Sequence, residues 1–449
     1  MTLKTLIKDS DSRAFLKKVV NKLEQIIAPA KKIAGKMSLP GDKSISHRAL
    51  MLGAIAEGVT EIENLSNGAD VASTANCLRS LGVKIKKKGG RTLVTGKGLH
   101  GLRESRRALD AGNSGTTMRL LAGILAGQPF QSVLTGDESL RRRPMSRIIT
   151  PLQQMGARIE AVDGEHAPLS IHGSRLLPIS YNLPVASAQL KSCILLAGLY
   201  AAGRTEVREP RASRDHTERM LQNFGAVIEA QDLRITVTGP ATLTAQKIWV
   251  PGDLSSAAFF LAAAVLVPES QLLLERVGIN PTRSALLTVL NDMGAKVQIL
   301  NVFAAGNELI ADLYVEHSKL KGIRIEPALI PQIIDEIPIL AVLASQATGV
   351  TEIWGAGELR KKESDRLQTI ATNLSKMGAR VEEKEDGLVI EGPTKLRGAV
   401  LDSFADHRIA MSFAVAALVA TNECKIVNAD CANVSFPGFY DRLKQIAVL

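Results

Sequence analysis

The stretch Pro40–Gly58, PGDKSISHRALMLGAIAEG, sets Asp42, Lys43, Ser44, Ser46, His47 and Arg48 right after a glycine turn and right before a run of small apolar residues. This reads as a helix with a chemical first turn and a buried body, because an Ala/Leu/Met body with few charges has no broad polar face for water. Unpaired backbone N–H groups and the positive end of the helix dipole favour an anion at such a start. Lys43 and Arg48 add full charges there. The chemistry on offer is recognition of a multiply charged anion.

The elements that must position these residues are repeated. Polar-start, apolar-body helices recur at GNSGTTMRLLAGILAG from Gly112, ASAQLKSCILLAGLYAAG from Ala186, GDLSSAAFFLAAAVLV from Gly252, IDEIPILAVLASQATG from Ile334 and ADHRIAMSFAVAALVA from Ala405. The interval is about 65 to 85 residues, the scale of a supersecondary repeat. A second motif interleaves: LRSLGVKI from Leu78, LQQMGARIE from Leu152, LQNFGAVIE from Leu221, LNDMGAKVQI from Leu290 and LSKMGARVEE from Leu374. Each reads as a helix stopped by glycine and followed by an alternating strand. With the strand and turn signals between them, six units of helices and strands are expected, three around each of two cores.

The expected class is α/β (α+β) in two related lobes. Glycine-rich approaches before Asp42 and Asp253 are the expected hinges, so residues 29–41 and 251–449 form one discontinuous lobe and residues 42–250 the other. By symmetry the polar helix starts gather at one end of each lobe and face each other across a cleft. Residues 1–28 show helical periodicity through Phe15, Val19, Val20, Leu23, Ile26 and Ile27 and are expected to be an appended helix.

Composition narrows the class. The 449 residues are 45% hydrophobic but only 4% aromatic, which suits cores of Ala, Leu, Ile and Val and exceeds one core's usual reach. Cys77, Cys193, Cys424 and Cys431 are scattered with no CxxC, so reduced thiols in the cytoplasm are expected, with neither disulfide nor zinc. The net charge of +10 suits either nucleic acid or acidic small molecules. Long basic runs interleaved with aromatics are absent, which favours the small molecules. The densest run, KIKKKGGR at residues 84–91, reads as a solvated hairpin. No apolar run approaches the roughly 18 residues that span a bilayer.

Seven segments, PGDKSISHRA, LDAGNSGTTMRLL, LTGDESLRRRPM, ASAQLKS, GDLSSAAFFLAAA, ELRKKESDRL and FADHRIAMS, together resemble the signatures of the 5-enolpyruvylshikimate-3-phosphate synthase family. The resemblance covers about residues 33–445, in order. It implies a two-lobed inverse alpha-beta barrel of six βαβαββ repeats, with crossovers near Gly41 and Pro251. It implies closure on shikimate 3-phosphate and then phosphoenolpyruvate, with no metal or organic cofactor, no nucleic acid and no membrane; a monomer is expected. The positions that match the family's phosphoenolpyruvate site are Lys43, Gly115, Arg143, Gln189, Lys362, Arg366 and Arg408. Arginine suits bidentate binding of phosphate and carboxylate. For shikimate 3-phosphate the matching positions are Lys43, Ser44, Arg48, Ser187, Ala188, Gln189, Arg214, Asp335 and Lys362. Addition of a hydroxyl across the enol double bond needs a base at the hydroxyl and an acid at the methylene carbon. Asp335 is assigned to the 5-hydroxyl side, and Glu363 with Lys43 to the methylene.

Taken singly, these residues have plainer readings. Asp335 before an apolar helix reads as an N-cap. Glu363 to Arg366 reads as a surface turn with an ion pair, and His407 and Arg408 as structural. Their occurrence in register reverses those readings, except for His47, which stays structural. Some positions depart from the family pattern. Val434 stands where many members carry a lysine, Leu120 replaces a frequent proline and Ala188 a serine. GDKSIS, SAQLK, RDHTE and NPTR resemble the class II, glyphosate-tolerant branch, yet Gly115 leaves room for the inhibitor. Two rivals remain. An enolpyruvyl transferase for UDP-N-acetylglucosamine would carry a cysteine near Gly112–Thr117, which this chain lacks, and an RNA-end-modifying protein of related repeat build would rest on the charge alone.

Overall fold

The computed structural model describes residues 24–449. The second repeat shows how one unit is built. A short strand, Leu109–Asp110, leads into the buried helix Gly115–Ala126 and out through strand Gln131–Thr135, which lies parallel to the first. An amphipathic helix, Ser146–Gln154, then covers the sheet, and the antiparallel hairpin Arg158–Val162 and His166–His172 completes it. Five of the six sheets among the described residues follow this plan, with the largely apolar helices inside and the half-buried strands outside. The helix Leu254–Leu266 is buried along its whole length, as a sequence that is apolar apart from Ser255 and Ser256 in its first turn requires.

Two separate hydrophobic cores result. One draws on residues 27–39 and 254–446, the other on residues 45–250. Each lobe closes its first sheet with a strand from across the crossover. Lys247–Trp249 runs parallel to Glu57–Glu63, and Lys32–Ser38 runs parallel to Gln271–Gly278. At the crossover the two chain segments bond reciprocally: the Asp42 amide donates to the Pro251 carbonyl at 2.7 Å, and the Asp253 amide to the Pro40 carbonyl at 3.1 Å. Glycine is required at position 41, because a Cβ there would lie 1.8 Å from the Asn64 carbonyl oxygen.

The N-terminal expectation needs one correction. Residues 1–23 of the expected helix lie outside the described residues, but Glu24–Ile27 is a strand, antiparallel to Cys424–Val427. Ile27 is buried and Ile26 is exposed, an alternation of period two. The sixth unit has no hairpin of its own after Cys424–Val427, so this strand supplies the antiparallel partner that the other five units build locally. No described helix is long and apolar enough to cross a membrane.

Candidate active site

Both lobes contribute to one cleft of about 540 Å³, and all fourteen sequence-expected site residues line it. A second recess of about 710 Å³ lies against the crossover and contains none of them. Five of the six buried helices present their N-termini to the cleft. The exception is Leu254–Leu266. Its cap, Asp253, accepts from the Ser255 and Ser256 amides and reaches across to the Lys43 amide at 3.1 Å. Asp42 caps the Lys43–Ile55 helix through the Ile45 amide. These two caps bring the start of one lobe's helix against the other's.

Asp335 is not an N-cap. The following helix, Ile337–Gln346, takes Glu336 at its cap position. Asp335 instead accepts from Arg214 of the opposite lobe at 2.6 Å and lies 3.5 Å from Arg366 and 3.7 Å from Lys362. Nor is Arg366 a surface residue. It is 1% exposed and fans out to Glu363 at 2.6 Å and Asp406 at 2.8 Å as well as to Asp335. Glu363 also faces Arg143 of the other lobe at 3.6 Å. Lys43 is held by Asp70 at 3.0 Å.

This crowding sets the protonation states. Burial alone would raise the carboxyl of Asp335, but Lys362, Arg214, Arg408 and Arg366 outweigh it and hold it well below the usual carboxylate range. Glu363 behaves likewise: burial pushes it up, and Arg366, His407, Arg143 and Lys362 bring it well down. Burial makes the Lys362 ammonium easier to deprotonate, only partly offset by Asp335. Both carboxylates are therefore ionised among these cations.

Several cations still have donors to offer. Arg408 lies 3.6 Å from Glu336, yet its Nη1 has no hydrogen-bond partner, and neither does Arg143 Nε. The Ser187 hydroxyl accepts from the Leu190 amide, which leaves its own O–H to donate, and Ala188 begins the helix. Gln189 donates to Thr116 Oγ1 at 3.0 Å. Arg48 is spent within the protein, donating to Thr217 Oγ1 at 2.6 Å, Ser192 Oγ at 2.8 Å and the Ser44 carbonyl at 2.9 Å. His47 does not line the cleft; it is buried against Thr74.

Sequence reading missed Arg119. It lines the cleft, donates to Gln189 Oε1 at 2.7 Å and has no carboxylate within ion-pair distance among the described residues. Burial, with Arg143 and Arg147 nearby, brings it down to about 10. A single arginine inside the apolar run MRLLAGILAG was the available signal. A Cβ on Gly115 would come 2.8 Å from Arg119 Nη1 and 3.7 Å from Arg143, so the glycine keeps both guanidinium groups within reach of the cleft. Val434 does not line the cleft. No group of metal-ligating side chains occurs among the described residues.

Two lobes of one repeat plan, closing on a cleft of arginines and ionised carboxylates, define the class of enolpyruvyl transferase folds. An enolpyruvyl transferase from Streptomyces tendae, NikO, superposes with a TM-score of 0.76 over 94% of this chain and 96% of its own, at 19% identity, a likeness of fold. The chain belongs to the EPSP synthase family, 3-phosphoshikimate 1-carboxyvinyltransferases, whose family model matches residues 27–443. As a member it is a transferase of the shikimate pathway. The 3-phosphoshikimate 1-carboxyvinyltransferase of Brevibacillus brevis is 52% identical over 94% of this chain and 99% of its own length. That of Synechocystis is 54% identical over 93% and 95%. The EPSP synthase of Acinetobacter baumannii superposes with a TM-score of 0.85 at 44% identity, over 95% of this chain and 98% of that one.

Proposed function

We propose that the chain transfers the enolpyruvyl group of phosphoenolpyruvate to the 5-hydroxyl of shikimate 3-phosphate and releases phosphate, by addition and elimination through a tetrahedral intermediate. One observation carries the assignment of roles: Lys43 and Arg143 from one lobe meet Lys362, Arg366 and Arg408 from the other around two ionised carboxylates. The donor's phosphate and carboxylate fit those cations, with Gly115 and Gln189 at the helix start beside them. The acceptor's phosphate fits Ser187, Ala188, Gln189 and Arg214, with Ser44 and Arg48 behind.

Asp335, ionised, is the base at the acceptor hydroxyl, and Lys362 and Arg214 orient it. Glu363 must carry a proton to serve the methylene carbon, whereas Arg366, His407, Arg143 and Lys362 favour its ionised form. The donor's anionic groups, once bound, compensate Arg143 and Arg366 and so relax the pull that keeps Glu363 ionised. Lys43, held by Asp70, shares the methylene side. Elimination then breaks the bond from the attacked carbon to the phosphate oxygen: the methyl group returns a proton to Glu363 or Lys43, and the departing phosphate takes up the proton that Asp335 removed from the hydroxyl.

The chain is proposed to work as a monomer in the cytoplasm. All four cysteines are free thiols, in keeping with a reducing compartment. The test is phosphate release from phosphoenolpyruvate by purified protein with shikimate 3-phosphate, with UDP-N-acetylglucosamine and with neither. Release with shikimate 3-phosphate alone supports the reading. Release with the nucleotide sugar, or with no acceptor at all, contradicts it.

A further inference from the structure

Of the motifs RDHTE (residues 214–218) and NPTR (residues 280–283), only Arg214 has a part in the reading above, yet the two are packed against each other. NPTR follows the crossover closely: the Gly278 amide donates to the Gly252 carbonyl at 2.9 Å, two residues before Asn280. Points beside a hinge move least when lobes rotate, so this contact does not depend on the cleft being shut.

The contact is made of buried polar groups. The Asn280 side-chain amide donates to Asp215 Oδ1 at 2.6 Å and to Glu308 Oε2 at 3.0 Å. Its carbonyl oxygen accepts from the Thr282 amide at 2.8 Å, which fixes the way the side chain faces. Thr282 Oγ1 accepts from the Asp215 amide at 3.1 Å, and His216 Nδ1 lies 2.7 Å from Glu308 Oε1. Asn280, His216 and Glu308 are all buried. Burial alone would raise the Asp215 carboxyl, but Asn280, Arg219 and His216 outweigh it and hold it below its ordinary range.

The same loop is tied to the base. Arg283 Nη1 and Nη2 donate to Glu336 Oε2 and Oε1 at 3.0 and 3.1 Å, with both side chains buried. Glu336 directly follows Asp335, as Asp215 directly follows Arg214. The loop thus grips the neighbours of the two residues that meet at 2.6 Å in the cleft.

We propose that Asn280 is a positioning residue for the acceptor: through Asp215 it sets Arg214 against the acceptor's phosphate, at a spacing from Asp335 that Arg283 and Glu336 fix. The inference rests on the enolpyruvyl-transfer reading for the acceptor. Asn280 itself does not line the cleft. Without its amide, Asp215 and Glu308 lose the donor they share, and the chain at Asp215 must shift to find another. A displacement of about 1 Å at Arg214 is enough to spoil a phosphate contact.

The test is calorimetric binding of shikimate 3-phosphate, and of shikimate, the same acceptor without its phosphate. It compares the full wild-type chain with Asn280→Ala, Arg214→Ala and the double variant. Asn280→Ala should weaken shikimate 3-phosphate about 10-fold and leave shikimate, which offers Arg214 no phosphate, within about 2-fold. Added to Arg214→Ala, it should cost nothing further, because a residue acting through another is not additive with it. Thr282→Val nearly keeps the side chain's shape and removes the hydroxyl that meets Asp215. It should show the same selective loss at smaller size, and it decides the matter if Asn280→Ala does not fold. An equal loss for both acceptors, a full further loss on top of Arg214→Ala, or unchanged binding of shikimate 3-phosphate would overturn the inference while leaving the function reading in place. A wild type that binds no shikimate 3-phosphate would overturn that reading, and this inference with it.

Discussion

At the scale of single residues, two carboxylates and one imidazole make separate claims. Glu363→Gln and Asp335→Asn each remove a proton carrier while keeping the side chain's shape. In steady-state kinetics each should lower kcat by roughly 10²- to 10⁴-fold with a much smaller change in KM. Full turnover in either variant would end that residue's catalytic assignment. His407 gives a pH signature. Burial, aided by Lys43, lowers it from 6.5 to about 4 in the folded protein. The unfolded chain thus takes up a proton between those two values while the folded one does not. Stability is fully present above about pH 6.5, falls as the pH drops towards 4 and then levels off. Thermal midpoints of His407→Gln should follow a flatter pH profile than wild type across that window. An unchanged slope would mean that His407 is solvated.

At the scale of elements, the buried helices are held by close approach and by internal ion clusters. The helices Gly115–Ala126 and Ala188–Gly198 touch at Gly123, where a Cβ would meet the Cys193 carbonyl oxygen at 2.3 Å. Gly123→Ala must push apart two helices whose starts carry Gly115 and Gln189. Denaturant unfolding should show a loss of about 1–3 kcal/mol, the usual cost of overpacking. Lys191, 1% exposed, pairs with Glu209 at 2.8 Å and Glu218 at 2.6 Å and so fastens the segment that carries Arg214. Lys191→Met would leave two buried carboxylates unbalanced and should cost about 3–5 kcal/mol. A variant as stable as wild type would show that those carboxylates take up protons at little cost.

At the scale of the whole molecule, the repeats and the lobes were legible in the sequence because each unit hides an apolar helix and ends it with glycine. The interval between polar starts then placed most of the chemistry at one cleft. What local patterns could not carry was pairing across the gap. Arg147 and Glu358 are 211 positions apart, and neither stands in a motif that anticipates the other. The strand Glu24–Ile27 was hidden for a related reason: its apolar residues fit a helical period as well as a strand, and only the missing partner of Cys424–Val427 decides between them. Arg119 was concealed by its apolar surroundings, and Leu254–Leu266 kept its start out of the cleft because Asp253 serves the crossover instead.

In the proposed reaction the two lobes carry out an addition followed by an elimination. In that sequence the donor's methylene carbon gains a proton to become a methyl group and then loses one. The most direct measurement is proton NMR of the wild-type reaction in heavy water with phosphoenolpyruvate and shikimate 3-phosphate. The expected product is a vinyl ether at the 5-oxygen whose methylene carries deuterium from solvent, formed in step with released phosphate. Phosphate release without that ether, or an ether whose methylene stays free of deuterium, would contradict it.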